Sequence, residues 1–593
     1  MTQSALPRQQ PWGQNDLLGK PPVHPAVSEA CRLLCAGVYM DDGYRNAVVD
    51  QLYVQEERLA APSLGFDAAR VLAHALRARR AELGWAAGTV ALWILAVVLT
   101  HGLFAILLGA SIHLALASWA RGTAARPPFF RQAAGFILRW YGRILLTVGL
   151  AGLVYRAFSG GETGDPSDSS AFAFEPSQDS WTASVIPLGQ PFAGGAGSGA
   201  AWGAMVLFAL LTVLVAVQRG QFARVMNGEL DRKNFSDVAA DPAERAEGVR
   251  FRRLQYRIRA EQHAPLIMYS TGNPFCGAGL PYSPWNLAVE LRPSKDRPTE
   301  PIDNAQVLRR VVPLLEALRV PSPHGSKEAA AAVRDRLREL QIDECVFLPV
   351  AGMPRREDAP YSPEGFDRHR LGSVEEGGES RRHFLRIRVG GWNEQVVVTV
   401  FVRVHTQGGM LMLEVAPHVL MPVRALFQEA DRIAHRHRNN NWLGKAVWAL
   451  TRTPGSFGRA IGTLARGAVS GWTILTAGNG GALPDGPQAS VRELGSDQEA
   501  SLFQDMDVNR YLKSIQDRVA NGVRLALHEA GWQTDEFEQK IVNVGAGGVF
   551  IESAHDSAIG IGDRNTVTNT HRNAESGPTP GAKANWTPNT GGK

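Results

Sequence analysis

From Trp85 to Trp119 the chain is almost wholly apolar, interrupted by His101-Gly102 and His113. One straight helix of that length would run about 50 Å, against a hydrocarbon core of about 30 Å. The run therefore predicts two short tilted helices that turn near Thr100-His101-Gly102. Arg77, Arg79 and Arg80 precede it and Arg121, Arg126 and Arg131 follow it, which places both of its ends in the cytoplasm. A third crossing is expected from Phe136 to Phe158, with Arg139 and Arg143 near its inner end, and a fourth from Trp202 to Val217, stopping at Arg219 and Arg224. Between them, residues 159–201 carry Glu162, Asp165, Asp168, Glu175 and Asp179 but no Lys or Arg, as an outer loop would. The expectation is a membrane domain at 85–218 with about four crossings and both termini inside.

The polar parts alternate differently. Residues 1–84 carry apolar stripes over Ala26–Met40 and Phe66–Ala81 and read as a cytoplasmic helical cap, with Asp41-Asp42 at a helix end rather than in a metal site. Residues 219–262 form a basic juxtamembrane segment. Within it Arg250, Arg252, Arg253, Arg257 and Arg259 surround a helical face of Phe251, Leu254 and Ile258. Such a helix suits anionic lipid, and a solvated linker is the equal alternative.

Residues 263–430 predict a cytoplasmic α+β domain. Strands are expected at Asn286–Leu291 and Cys345–Val350, and helices at Ala305–Leu318 and Lys327–Leu340. Alternating Leu385, Ile387 and Val389, the β-branched run Val396–Val404 and Met410–Val415 are joined by glycine turns at 390–393 and 407–409, which predicts an antiparallel β-meander.

In residues 431–484, Pro454-Gly455 divides Asn441–Ala477 into two amphipathic helices, with Arg452, Arg459 and Arg466 spaced every seven residues on one face. Helices of this kind lie in membrane interfaces; packing on the α+β domain is the other reading. In the helical segment 485–541, Val508, Leu512, Ile515, Val519, Val523 and Leu527 make a stripe that Gly531 ends, suited to an internal partner or a second chain.

Composition narrows the chemistry. A formal charge of +5 on 593 residues is too small to argue for nucleic acid. Cys31, Cys35, Cys276 and Cys345 have no second Cys/His pair at metal-site spacing and read as small buried thiols. Met1–Gly19 has no hydrophobic signal-peptide core. The loop Gly272–Gly279 lacks both the Gly-Lys-Ser/Thr of a phosphate loop and Gly-x-Gly-x-x-Gly. No catalytic set, cofactor site or metal site can be assigned. His101 and His113 suit either a proton or ion path or, respectively, an interfacial turn and a bond to a neighbouring helix.

Residues 542–570 are the most unusual part of the chain. Ile559-Gly560-Ile561-Gly562 alternates apolar residues with glycine, and Asn565 and Asn569 follow. Such a strand can stack on copies of itself, with isoleucines in a dry zipper and asparagines in amide ladders. Residues 571–593, rich in Pro, Gly and Thr, read as a disordered tail.

Two resemblances accompany these patterns. Cys31-Arg-Leu-Leu, Asn273-Pro-Phe-Cys-Gly-Ala-Gly and the meander resemble a group of uncharacterised actinobacterial integral membrane proteins, which implies bacterial origin and a plasma-membrane location. Ile559-Gly-Ile-Gly-Asp-Arg-Asn565 resembles the core of RIP homotypic interaction motifs and related bacterial amyloid signalling motifs, with Gly560 in place of their glutamine. The second resemblance implies self-assembly and a sensor protein with a matching motif. The function expected is a non-enzymatic, lipid-contacting membrane effector in defence or stress. The alternative is a small-molecule or ion-handling membrane protein gated by its α+β domain.

Overall fold

In a computed structural model the described residues are 24–121, 128–159, 198–245, 248–320, 335–376, 378–476 and 482–539, with Ser326 and Glu328. The outer loop, most of the predicted helix Lys327–Leu340, the 542–570 motif and the tail lie outside them. Only the end of that predicted helix is described, as a 3-10 turn at Arg336–Glu339.

Two short helices open the cap, α1 (Glu29–Met40) and α2 (Asp42–Val49). Asp41 is a helix end as expected: its carboxylate accepts the Gly43 and Tyr44 amides and starts α2. Helix α3 (Ala68–Leu99) begins in the cap and continues without a break through the first apolar run. It stops at the anticipated turn, where His101 and Gly102 have φ of 48° and 86°. Helices α4 (Ile106–Arg121), α5 (Phe129–Phe158) and α6 (Ser198–Gly228) follow. Gly135, Gly142 and Gly149 recur every seven residues as buried positions of α5, giving α4 a seam of small residues to pack against. Among the described residues three helices, α3, α5 and α6, are long and apolar enough to cross a membrane, and a fourth apolar stretch, Leu103–Ala117, is shorter. These helices suggest a membrane protein.

Helix α7 (Val249–Gln262) returns to the cap, burying the predicted face of Phe251, Leu254 and Ile258 in a core shared with α1, α2 and the start of α3. Next come strands β1 (Leu266–Tyr269), β2 (Leu280–Pro281) and β3 (Trp285–Glu290), helix α8 (Asn304–Glu316), β4 (Gln341–Pro349) and helix α9 (Pro363–Val374). The meander is β5 (Arg382–Gly391), β6 (Val396–Gln407) and β7 (Met410–Leu420), antiparallel throughout. The sheet is mixed and ordered β1-β4-β5-β6-β7-β2, with β3 also on β7 and β1 parallel to β4. One face carries Leu385, Ile387 and Val389, with Val396, Val398, Val400, Val402 and Val404 of β6, against α8 and helix α13 (Leu502–Glu529). The α13 stripe thus packs internally. On the other face lie Phe347, Phe384, Phe401, Arg386, Arg388 and Thr399, covered by the loop that holds Phe275.

Between β7 and α13 the chain leaves the sheet as α10 (Ala430–Asn439), α11 (Trp442–Arg452) and α12 (Ser456–Thr476). The last two are the predicted pair, broken at the predicted place.

Candidate functional site

Thr453 and Pro454 are buried although they form a turn between two exposed amphipathic helices. The partners explain this. Trp93 Nε1 of α3 donates to Ser456 Oγ at 3.4 Å, and its ring meets that of Phe457 at 5.3 Å. Ser111 of α4 donates to the Pro454 carbonyl, and Thr453 donates to Thr212 Oγ1 of α6 at 3.2 Å. A Cβ on Gly458 would collide with that of Ala115, so α12 and α4 meet almost backbone to backbone. The α11–α12 hairpin is therefore wedged among the apolar helices, and it enters and leaves from the end that carries the cap and the sheet.

Its depth follows from helix geometry. At the cap end Trp85 bonds Gln221, and Thr463 bonds Glu82 at 3.2 Å. Trp93 is about 12 Å further along α3 than Trp85, and Thr212 about 10 Å from Arg219 along α6. The tip thus lies about 10–12 Å along the apolar helices from their cap end. Irregular backbone among apolar helices is tolerated where protein buries it, and here the hydroxyls of Ser111, Thr212 and Thr453 answer one another or the backbone while that of Ser456 accepts the Trp93 indole N–H.

The predicted arginines separate into different roles. Pro454 has no N–H to continue a helix, so Arg452 ends α11 while Arg459 and Arg466 belong to α12. The three do not share one helical face, a correction to the spacing argument. Arg459 Nη2 donates to the Arg452 carbonyl at 2.9 Å and so caps the end of α11. Arg466 is exposed. Arg452 instead runs back beside Trp448, its guanidinium 5.2 Å from the ring centroid, while Arg219 of α6 approaches the same ring at 5.4 Å.

On α7, Arg250 pairs with Glu56, Arg257 with Glu357, and Arg259 with Asp67 and Glu244. These arginines tie α7 to the cap and to the sheet domain, leaving Arg252 and Arg253 as the exposed pair. His101 is at the α3–α4 turn, and His113 bonds the Gly109 carbonyl of its own helix at 2.7 Å with its ring 5.0 Å from that of Tyr141 on α5.

Buried ion pairs join the parts. Arg70 and His74 of α3 both meet Asp241, 2.8 Å and 3.0 Å away; these partners, with the Ala243 amide, outweigh burial and hold that carboxyl well below its usual range. Arg32 of α1 bonds the Leu230 carbonyl and Asp431 of α10. At the junction of cap and sheet, Glu493 Oε1 accepts the Gly277 and Gly279 amides at 2.8 and 3.0 Å. Burial, with Glu493 beside it, pushes the Cys276 thiol well up, as burial does for Cys345, which reaches about 12. All four cysteines are buried and free. Neither thiol has the thiolate character of a nucleophile. Among the described residues no group of three or more His, Cys, Asp or Glu could hold a metal ion.

Residues 284–557 match a family described as the AbeC-like domain, just under half of the chain. That stretch begins at β3 and includes β4 to β7, the hairpin and α13, and leaves out β1 and β2. No curated protein and no solved structure matches the chain.

Sequence reasoning missed Trp93, Ser111, Thr212 and Arg219 as hairpin partners. Each reads as an ordinary member or edge of an apolar run. The available signal was Thr453-Pro454-Gly455-Ser456, a polar break too short to be a domain linker.

Proposed function

We propose that this chain is a bacterial plasma-membrane effector that acts without catalysis, by coupling assembly of its C-terminal segment to movement of a hairpin in the bilayer. The observation that carries this reading is the continuity of the hairpin with the sheet domain at both ends. Between β7 and α10, Val423 and Phe427 (the latter on a short helix, Ala425–Gln428) enter the cap core, and the return chain packs Val491 into the same core and Glu493 onto the glycine loop before α13. Displacing the sheet domain would act through these cap-anchored links on a tip keyed to Trp93, Ser111 and Thr212. Four crossings with both termini cytoplasmic agree with the arginine flanks of the apolar runs.

In this proposal Ile559, Ile561, Asn565 and Asn569 stack on a second copy or on a sensor with a matching motif, and clustering multiplies the disturbance of the surrounding lipid. A peptide of residues 543–570 tests the assembly step. It should form thioflavin-positive fibres, and Ile561→Asp should abolish them, because like charges would then repeat every 4.8 Å or so in a dry interface. Thr570→Ala, outside the core, should not. A wild-type peptide that stays monomeric at high concentration removes the assembly step.

A second reading, an ion- or small-molecule-handling protein gated by the sheet domain, is favoured by the hydroxyls of Ser111, Thr212, Thr453 and Ser456 around broken backbone at membrane depth. Unassembled protein in sealed vesicles decides between them. Steady selective flux without clustering supports the second reading, and leakage only after clustering supports the first.

A further inference from the structure

We propose that Arg219 and Arg452, with Trp448 between them, bind the phosphate of an anionic phospholipid at the cleft where α6 meets α11. The inference rests on the reading of α6 as a membrane helix.

The two guanidiniums reach one indole, at 5.4 and 5.2 Å from its centroid. Each is attracted by the ring and repelled by the other. Buried arginines elsewhere are matched by carboxylates (Arg70 by Asp241, Arg386 by Asp343, Arg356 by Glu261) or, at Arg492, by carbonyls and a hydroxyl. Arg219 is half-buried and Arg452 exposed at the mouth of the cleft. Among the described residues no carboxylate lies within ion-pair distance of Arg219 or Arg452. The nearby groups add to the excess. Lys445 of α11 and His437 of α10 sit on the same side, and His437 is pulled below its usual pKa first by burial and then by Arg219 and Lys445. Three cations, Arg219, Arg452 and Lys445, thus converge beside His437, and among the described residues Lys445 meets the Arg438 carbonyl but no carboxylate.

The level of the cleft identifies that counter-ion. Arg219 follows the apolar run of α6 by two residues, beyond Val217, and Trp448 lies one to two turns above the hairpin tip. Tryptophan and arginine at the edge of an apolar span mark the headgroup layer. Arg452 reaches this level because helical side chains lean toward the helix N-terminus, which for α11 is the polar end. Guanidinium forks match phosphate oxygens in pairs. Beside and below the cleft, Val213 and Val217 of α6 and Val447 and Leu450 of α11 are exposed, an apolar wall for acyl chains. A free phosphate would gain nothing from that wall, so the site is assigned to a lipid.

The test uses the full chain in nanodiscs of phosphatidylcholine with a minor share of phosphatidylglycerol, and counts retained lipid by native mass spectrometry. The wild type should retain phosphatidylglycerol at least fivefold over its share, and inorganic phosphate at millimolar concentration should not displace it. Arg219→Gln with Arg452→Gln should lose the preference, whereas Arg252→Gln with Arg253→Gln should keep it. An inserted double variant with unchanged preference overturns the site, and so does displacement by inorganic phosphate. Should the glutamine pair fail to insert, the wild type decides alone, because equal retention of the two lipids overturns the proposal. Resistance to carbonate extraction is scored separately: protein that extracts refutes the membrane reading, while inserted protein without lipid preference refutes only the site.

Discussion

Trp93 and Ser456 are separated by more than half of the chain, yet the indole N–H of one donates to the hydroxyl of the other at 3.4 Å. Trp93 is 1% exposed and also packs edge-on against Phe104, with ring centroids 5.0 Å apart. It joins α3, the α3–α4 turn and the hairpin tip. Trp93→Ala should cost about 3–5 kcal/mol, the range for emptying a large aromatic site. It should also free the tip. A cysteine at Pro454 should be protected from a water-soluble maleimide in the parent and labelled in the Trp93→Ala background. Equal protection in both would show that Trp93 does not hold the hairpin.

The glycine loop gives a second, independent prediction. Gly277 has φ of 96°, and a Cβ there would collide with the Pro62 carbonyl of the cap. Gly277→Ala combines a disfavoured backbone with a clash, and Glu493→Ala removes the acceptor of two amides, worth about 1–3 kcal/mol for each group left buried and unpaired. Both should loosen the cap from the sheet without unfolding the sheet, whose valine face packs on α8 and α13. Limited proteolysis near residues 270–280 should accelerate while cleavage within β5–β7 stays slow. Uniform acceleration across the chain would contradict the local role.

Much of this architecture is legible in the sequence, and the illegible parts share a cause. Val396–Val404 and the α13 stripe ending at Gly531 announce themselves, because each buries a regular face against protein while its ends meet water. Strand β1 is only Leu266–Tyr269 and pairs in parallel with β4 across a long crossover, so neither length nor alternation marks it. The depth of α11 and α12 is hidden for a different reason. Their partners α3, α4 and α6 are as apolar as lipid, and an amphipathic stripe looks the same against either. The cluster Arg250–Arg259 reads equally as a lipid patch or a solvated linker because Glu56, Asp67 and Glu357, which meet it in space, are distant in the sequence. The arginines at 452, 459 and 466 share a spacing but not a role, since the turn at Pro454 intervenes.

A pH prediction follows from the same junction of cap and sheet. Burial, aided by Arg388, His24 and Arg259 and opposed by Asp67, pulls His263 down to about 4. In the unfolded chain it would titrate near its ordinary value of about 6.5. Between those values the unfolded state binds more protons than the folded one, so stability rises with pH there and levels off above about 6.5. Burial lowers His418 also, with the same sign, though its hydrogen bond to the Ala416 carbonyl opposes the shift. Asp241 and Asp343 are depressed carboxyls, whose contribution is lost only at lower pH, below the ordinary carboxylate range. Unfolding midpoints in detergent should therefore fall from pH 6.5 toward 4, and His263→Gln should reduce that slope while leaving the further loss in stronger acid. An unchanged slope in the variant would remove His263 as its source.

The membrane topology is the prediction with the widest reach. Helix α3 is 32 residues long, about 48 Å, but its first part is buried in the cap, leaving about 22 Å from Trp85 to Leu99. Helix α4, at 16 residues, is about 24 Å. Neither spans 30 Å of hydrocarbon without local thinning of the bilayer, whereas α5 and α6 do so comfortably. The seam of α5 glycines against α4 and the wedge beneath α3 compensate by replacing lipid contacts with protein contacts on both short helices. On this reading all four cross. Reporters fused after Arg126 and after Arg224 should then read cytoplasmic, as should one at Asn441, where the hairpin enters, and one near Asp168 should read periplasmic. A cytoplasmic signal at Asp168 would reduce the count by two, because α5 and α6 would then meet on the inner side. A periplasmic signal after Arg126 would instead make α3 and α4 a single crossing with a re-entrant turn. In that case the hairpin tip would meet the break at His101-Gly102 from one side only, and Ser111 could not stand at the depth of Thr212.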